Sequence, residues 1–354
     1  MHRLLMAIGL GTVLLTNTEA LASLTFAFDV PANSALAGLQ ASNPMLYASV
    51  LNGFTVAGSL WSAKFTDNVT VHVSIDYPAL GSGILGQADS TQVVNSYANT
   101  RSRLIADATS AADATAVAGL GSGTYWPIRR NSVASKTTFI NETSSAYAST
   151  LAINRANARA IGLVGANDPA SDATIGFSSN FAWDFDRSNG IAANQYDFVG
   201  VAAHEIGHAM GFVSGVDDLD YYTATFGPGQ NTFTDANVSA GGILTTPLDL
   251  FRYVAPGQRD ASVNAIDYFS IDDGTSNLGR FATGYYNGNG QQASHWLQSA
   301  NLGIMRPAFA PGTIVPITNL DVQALDVIGW TVAVPEPGVA ILLACGIALR
   351  RKRR

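Results

Sequence analysis

The sequence predicts an α+β domain, with strands and helices in its first half and a buried helix followed by a long insertion in its second. Three observations carry this. Leu24–Phe28 and Val69–Ile75 alternate apolar and polar residues, the period of half-buried strands. Residues 91–118 and 144–163 are rich in Ala, with Leu104 and Ile105 among them, and predict helices. Phe198, Val199, Val201, Ala202 and Ala203 form an apolar run that predicts a buried helix over about 197–213.

The remaining elements follow in order. His72, inside Val69–Ile75, falls at a half-exposed strand position. Gly81-Ser-Gly-Ile-Leu-Gly86 is a candidate sheet edge. Ala173–Phe181 predicts a strand leading into the buried helix. Residues 215–290, rich in Gly, Asn, Asp, Thr and Tyr, form an insertion expected to shape a cleft. Asp184 and Asp186 place carboxylates at alternate positions, a weak Ca2+ pattern that lacks the bidentate Glu of an EF-hand; a solvated turn fits it better. No internal repeat is present.

Both ends read as targeting segments. Residues 1–22 combine His2-Arg3, the apolar run Leu4–Leu15 and Ala20-Leu21-Ala22, the three parts of a signal peptide cleaved before Ser23. Residues 23–333 are then the ectodomain, and residues 334–354 a tail. In that tail Val334-Pro335-Glu336-Pro337 precedes an apolar stretch, Gly338–Leu349, and the basic end Arg350–Arg354. Twelve apolar residues are short for a stable span, and the basic end favours the cytoplasmic side. The three parts resemble the PEP-CTERM sorting signal of Gram-negative bacteria. That resemblance implies an exosortase-type sorting machinery as partner, transient inner-membrane contact, and delivery to the cell surface or extracellular matrix.

Charge and cysteine content narrow the function. Charged residues make up only 13% of the chain, and the net charge is −7. Without residues 1–22 and 338–354, 13 basic residues face 25 acidic ones, a balance of −12. Such a surface repels nucleic acid and anionic lipid. The single cysteine, Cys345, lies in the tail, so the ectodomain has neither a disulfide nor a thiolate ligand.

The buried helix carries the chemistry. Its sequence, Asp197-Phe-Val-Gly-Val-Ala-Ala-His204-Glu205-Ile-Gly-His208-Ala-Met-Gly211-Phe212, puts two histidines four residues apart on one face. They can share a metal ion, and Glu205 lies about 100° round the helix, within reach of a water on that ion. Catalytic zinc takes three protein ligands and leaves one position open. A His at position 214 would complete the commonest extended motif, but Ser214 stands there. Two sources remain for the third ligand: His295, in Ala293-Ser-His-Trp296, and the pair Asp217 and Asp218 just past the helix.

With Gly303-Ile-Met305-Arg-Pro307 downstream, and Thr318–Trp330 as a closing helix, the segment from about 170 to 330 resembles leishmanolysin-type metzincins. In that family a long insertion separates the helix motif from the third His, and a Met-containing turn passes beneath the metal. The separation of 84 residues between Gly211 and His295 is the main departure. The resemblance implies a metzincin-like fold with a twisted sheet, and Zn2+ held by His204, His208 and His295. It further implies Glu205 as general base, Met305 as structural floor, and hydrolysis of peptide bonds in a protein or peptide substrate that adds to a sheet edge. The competing class is a non-catalytic surface or matrix protein whose zinc site is structural or vestigial.

Overall fold

The computed structural model describes residues 23–225 and 234–333, so the signal-peptide and sorting-tail expectations lie outside the described residues. The fold is α+β, as expected. Its elements begin with β1 (Thr25–Asp29), α1 (Ala35–Ser42), α2 (Pro44–Ser62), β2 (Thr70–Asp76), β3 (Gly86–Ser90), β4 (Gln92–Ser96), α3 (Tyr97–Asp107) and α4 (Ala111–Ala118). They continue with β5 (Ile128–Ser132), β6 (Ser135–Glu142), β7 (Thr150–Asn154), α5 (Arg155–Ala160), β8 (Ala173–Phe177), β9 (Trp183–Asp184), β10 (Tyr196–Asp197) and α6 (Phe198–Ala209). The rest are α7 (Val216–Thr225), α8 (Asp235–Ser239), β11 (Arg252–Ala255), β12 (Gln258–Arg259), β13 (Tyr268–Phe269), β14 (Gly279–Arg280) and α9 (Asn319–Asp326).

The principal sheet runs β1-β2-β8-β3, with the first three strands parallel and β3 antiparallel at the margin. The alternation read in Val69–Ile75 is real. Val71, Val73 and Ile75 are fully buried, while His72 and its even-numbered neighbours are half-buried. The margin of this sheet is Gly86–Ser90, so the expected edge over 81–86 shifts downstream and keeps only Gly86. The backbone of Gly81–Leu85 turns instead, with the Ile84 N–H donating to the Gly81 carbonyl.

Two predicted helices are in part strands. β4 and β7 pair antiparallel, Gln92 opposite Asn154 through Ser96 opposite Thr150. The adjacent valines 93 and 94 favour extended backbone, and helix α3 starts only where Ser96 caps it by accepting from the Asn99 N–H. In the second segment, Ala content suggested a helix. Pairing with β4 overrides that weak preference, and only Arg155–Ala160 coil.

Helices α1 and α2 are not among the elements predicted from the sequence, although the pattern holds them. Asn43 caps α2 and Pro44 opens it. Val50, Phe54, Ala57 and Trp61 then recur on one face, and all four are fully buried. That face packs against α6 and the sheet. Phe54 meets Phe177 and Phe198 with ring centroids 5.2 and 5.5 Å away.

The insertion is built from α7, α8 and a small sheet of order β12-β11-β13-β14. It is tied to the first half by single bridges between Leu151 and Thr245 and between Arg129 and Asp260. No helix of the described residues is long and apolar enough to cross a membrane.

Candidate metal centre

Helix α6 is fixed before any ligand is considered. Asp197 caps it, accepting from the Gly200 N–H at 2.9 Å, and is itself paired with Arg187 at 2.8 Å. Every residue from Phe198 to Ala209 except His208 is buried. Three side-chain donors grip its backbone: Trp61 Nε1 on the Ala203 carbonyl (2.7 Å), Asn154 Nδ2 on that of His208 (2.8 Å), and Trp330 Nε1 on that of Met210 (2.8 Å). The helix stops at Gly211, whose φ of +119° is open only to glycine without strain.

The structure brings His204, His208 and His295 together. Their Nε2 atoms form a triangle with sides of 3.1, 3.1 and 3.3 Å. Each Nδ1 faces a backbone carbonyl: Ile304 at 2.8 Å for His204, Phe212 at 2.7 Å for His208, and Gln292 at 3.2 Å for His295. A carbonyl only accepts, so each Nδ1 carries the proton and donates it. Each neutral ring therefore turns a bare Nε2 lone pair toward the other two. Burial also holds the rings neutral, lowering His204 to about 3, His208 to about 4 and His295 well below the usual histidine value.

Three converging acceptors repel one another unless a cation lies between them. Their spacing matches three nitrogens that each sit about 2.0–2.1 Å from one tetrahedral ion. These residues can hold a metal ion. Among the described residues no other group of three or more His, Cys, Asp or Glu side chains comes close enough to do so.

The long-range partner His295 is seated by backbone pairing on both sides. The Ala282 N–H donates to its carbonyl (2.9 Å), the Trp296 N–H to that of Met305 (2.8 Å), and the Leu297 N–H to that of Arg280 (2.8 Å). Asp217, one of the two carboxylates considered beside His295 for the third ligand, does not reach the triangle. Its carboxylate accepts from the Ala293 N–H (2.6 Å), the Ser294 N–H (3.0 Å) and the Ser294 hydroxyl. Asp218 lies outside the histidine group as well.

Met305 is fully buried, and its Sδ packs so closely on Gly207 that a Cβ added there would have to push it aside. The turn that carries Met305 is held by Asp321. One of its oxygens accepts from Trp296 Nε1 (2.8 Å) and the Met305 N–H (3.3 Å), the other from the Ile304 N–H (3.0 Å). Asp321 thus braces the residue after one ligand and the carbonyl that orients another.

Glu205 is 5% exposed, and no hydrogen bond from the described residues relieves its burial, which pushes its carboxyl up to about 8. It faces the sheet margin. A Cβ on Gly86 would come within 2.9 Å of Glu205 Oε1. The histidine triangle, the carboxylate and the Gly86 end of β3 therefore lie in one region.

Asp184 and Asp186 form the turn favoured from the sequence: Asp184 accepts from the Asp186 and Ala192 N–H groups, and Asp186 from that of Ser188. Sequence reasoning missed Trp61, Asn154 and Trp330 as supports of α6, and assigned no task to Asp321. For Asp321 a signal existed, because Thr318 and Asp321 form a capping box, but its bonds to the Met305 turn had none. The chain matches no protein-family model, no curated protein and no solved structure.

Proposed function

We propose that this chain is an exported zinc-dependent endopeptidase. The observation that carries the proposal is the convergence of three Nε2 lone pairs, each oriented by its own backbone carbonyl, at the helix that also carries a buried carboxylate without a hydrogen-bond partner among the described residues. Three imidazoles without thiolate or carboxylate suit zinc, and a fourth position without a protein ligand is the mark of a catalytic rather than a structural zinc site. No fourth His, Cys, Asp or Glu joins the group among the described residues, which favours catalysis over the structural alternative. Met305 packed behind α6 and His295 supplied from beyond an insertion support the resemblance to leishmanolysin-type metzincins.

His204, His208 and His295 would hold the ion, which when bound polarises a carbonyl and lowers the pKa of a water. Glu205 takes the proton of the attacking water and delivers it to the leaving amine. Burial without a hydrogen-bond partner among the described residues raises the proton affinity of this carboxylate, which suits a base, and a bound cation nearby would favour its charged form. Strand β3 ends the sheet, so its outer backbone groups can pair with an extended peptide and bring a carbonyl up to Glu205. Asp321 holds the Ile304 N–H, and the Ile304 carbonyl in turn orients His204. Residues 1–22 and 334–354 support export, exosortase-type processing and delivery to the cell surface or matrix.

The direct test is digestion of casein by the purified protein. Cleavage should stop with a chelator and return with added zinc. A zinc-loaded, folded protein that cuts no peptide bond would end the proposal.

The position of Gly86 yields a separate expectation. Gly86→Val drives a branched side chain against Glu205 and should displace its carboxylate by about 1 Å, a misplacement that can cost about 100-fold in rate. Zinc content should stay as in the parent. An unchanged kcat/KM would show that the bond being cut does not lie beside this strand.

A further inference from the structure

Asp217 and Ser294 form a clamp across a wide gap in sequence. The Asp217 carboxylate takes the N–H groups of Ala293 and Ser294 together with the Ser294 hydroxyl, and that hydroxyl in turn accepts from the Ser214 N–H at 2.8 Å. A second set of contacts runs parallel to it. Arg252 Nη2 donates to the Ala293 carbonyl (2.7 Å), and Arg252 pairs with Asp249 at 3.4 Å. Asp249 accepts from the Ser214 hydroxyl and from the Gly215 N–H (2.9 Å). Both the amide and the carbonyl of Ala293 are thus bonded to residues that are themselves anchored at the exit of α6. Two residues further on is His295.

We infer that Asp217 is a positioning residue that holds the third imidazole against the two on α6, so that the metal site is formed before metal arrives. The inference rests on the proposal that the three histidines bind a metal. It goes beyond that proposal by giving the clamp, rather than the histidines alone, control of affinity. The physical ground is the short lever between clamp and ligand. His208 is fixed by the helix and by the Phe212 carbonyl just past it, whereas the imidazole of His295 is oriented by the Gln292 carbonyl, in the very loop that Asp217 secures. With the clamp opened, the loop can move relative to α6, and His295 must be recaptured at each binding event. Loss of a group that orients a ligand typically lowers metal affinity 10–100-fold.

The test uses the full ectodomain, Co2+ as a spectroscopic probe, and zinc affinity measured by competition with a chromophoric chelator. Asp217→Asn keeps the shape but turns an amide donor toward a backbone N–H, and Ser294→Ala removes the shared hydroxyl without touching α7. Both should weaken zinc binding at least tenfold and alter the Co2+ visible spectrum, as expected when one imidazole no longer stays on the ion. Asp235→Asn is the control. It breaks carboxylate bonds to Ser132, Val133 and Arg130 that have no contact with the site, so it should lower the melting temperature and leave affinity and spectrum alone. Parental affinity and spectrum in both clamp variants would overturn the positioning role while leaving the metal site intact. Weakening of equal size in the Asp235 variant would overturn it too, by showing that general destabilisation is the cause. A parent protein that binds neither ion would overturn the clamp and the metal site together.

Discussion

His295→Ala is expected to yield a protein that folds yet leaves purification without zinc and without peptidase activity. The helix then offers two imidazoles, and the gap falls on the one side of the triangle that no other described His, Cys, Asp or Glu can fill. A loss of at least tenfold in affinity, the size seen for groups that merely orient a ligand, is the lower bound for deleting a ligand. Asp218→Ala, purified alike without added zinc, should retain nearly normal metal content. Metal analysis of the two variants decides the matter. A full complement of zinc in the His295 variant with depletion in the Asp218 variant would move the third ligand to the end of α6. Asp217→Ala is less diagnostic than the sequence suggests, because its carboxylate secures the His295 loop.

Glu205→Gln separates binding from chemistry. The side chain keeps its length, and in the parent it makes no hydrogen bond to the described residues that an amide would spoil. Zinc content and melting temperature should hold. The rate of peptide hydrolysis should fall by at least ~100-fold, the usual contribution of a positioned general base. Wild-type cleavage by the purified variant would rule out Glu205 as the base, whatever the metal content.

The parts of the site visible in the sequence are those set by local geometry. His204, Glu205 and His208 are read from helical spacing alone, because residues four apart must share a face. The residues alone leave His295 open beside Asp217 and Asp218, and a resemblance is needed to choose it and to give Met305 a place, since nothing in a linear pattern says that residues 87 positions apart come together. The errors have equally local causes. In 91–96 and 150–154 the choice between helix and strand was made by a partner strand, which composition does not reveal. Asp217, a candidate ligand from its place just past the helix, instead bonds groups 76 and 77 residues downstream, so its task could be seen only after folding. Trp61 and Trp330 are similar, each closing on α6 from more than 100 residues away.

The distance along the chain between His208 and His295 also sets an order of events. A young chain that has made α6 holds two imidazoles and a carboxylate but lacks the third corner. Closing that loop costs chain entropy, and the contacts of Arg252 with Asp249 and Ala293 and the bridge between Phe281 and Trp296 are among those that hold it closed. The full set of three imidazoles therefore exists only where the chain between α6 and His295 has folded. If the three histidines hold zinc as proposed, a partly folded molecule would be a poor thief of the ion and an inert neighbour to other unfolded proteins, because it offers only two of the three imidazoles.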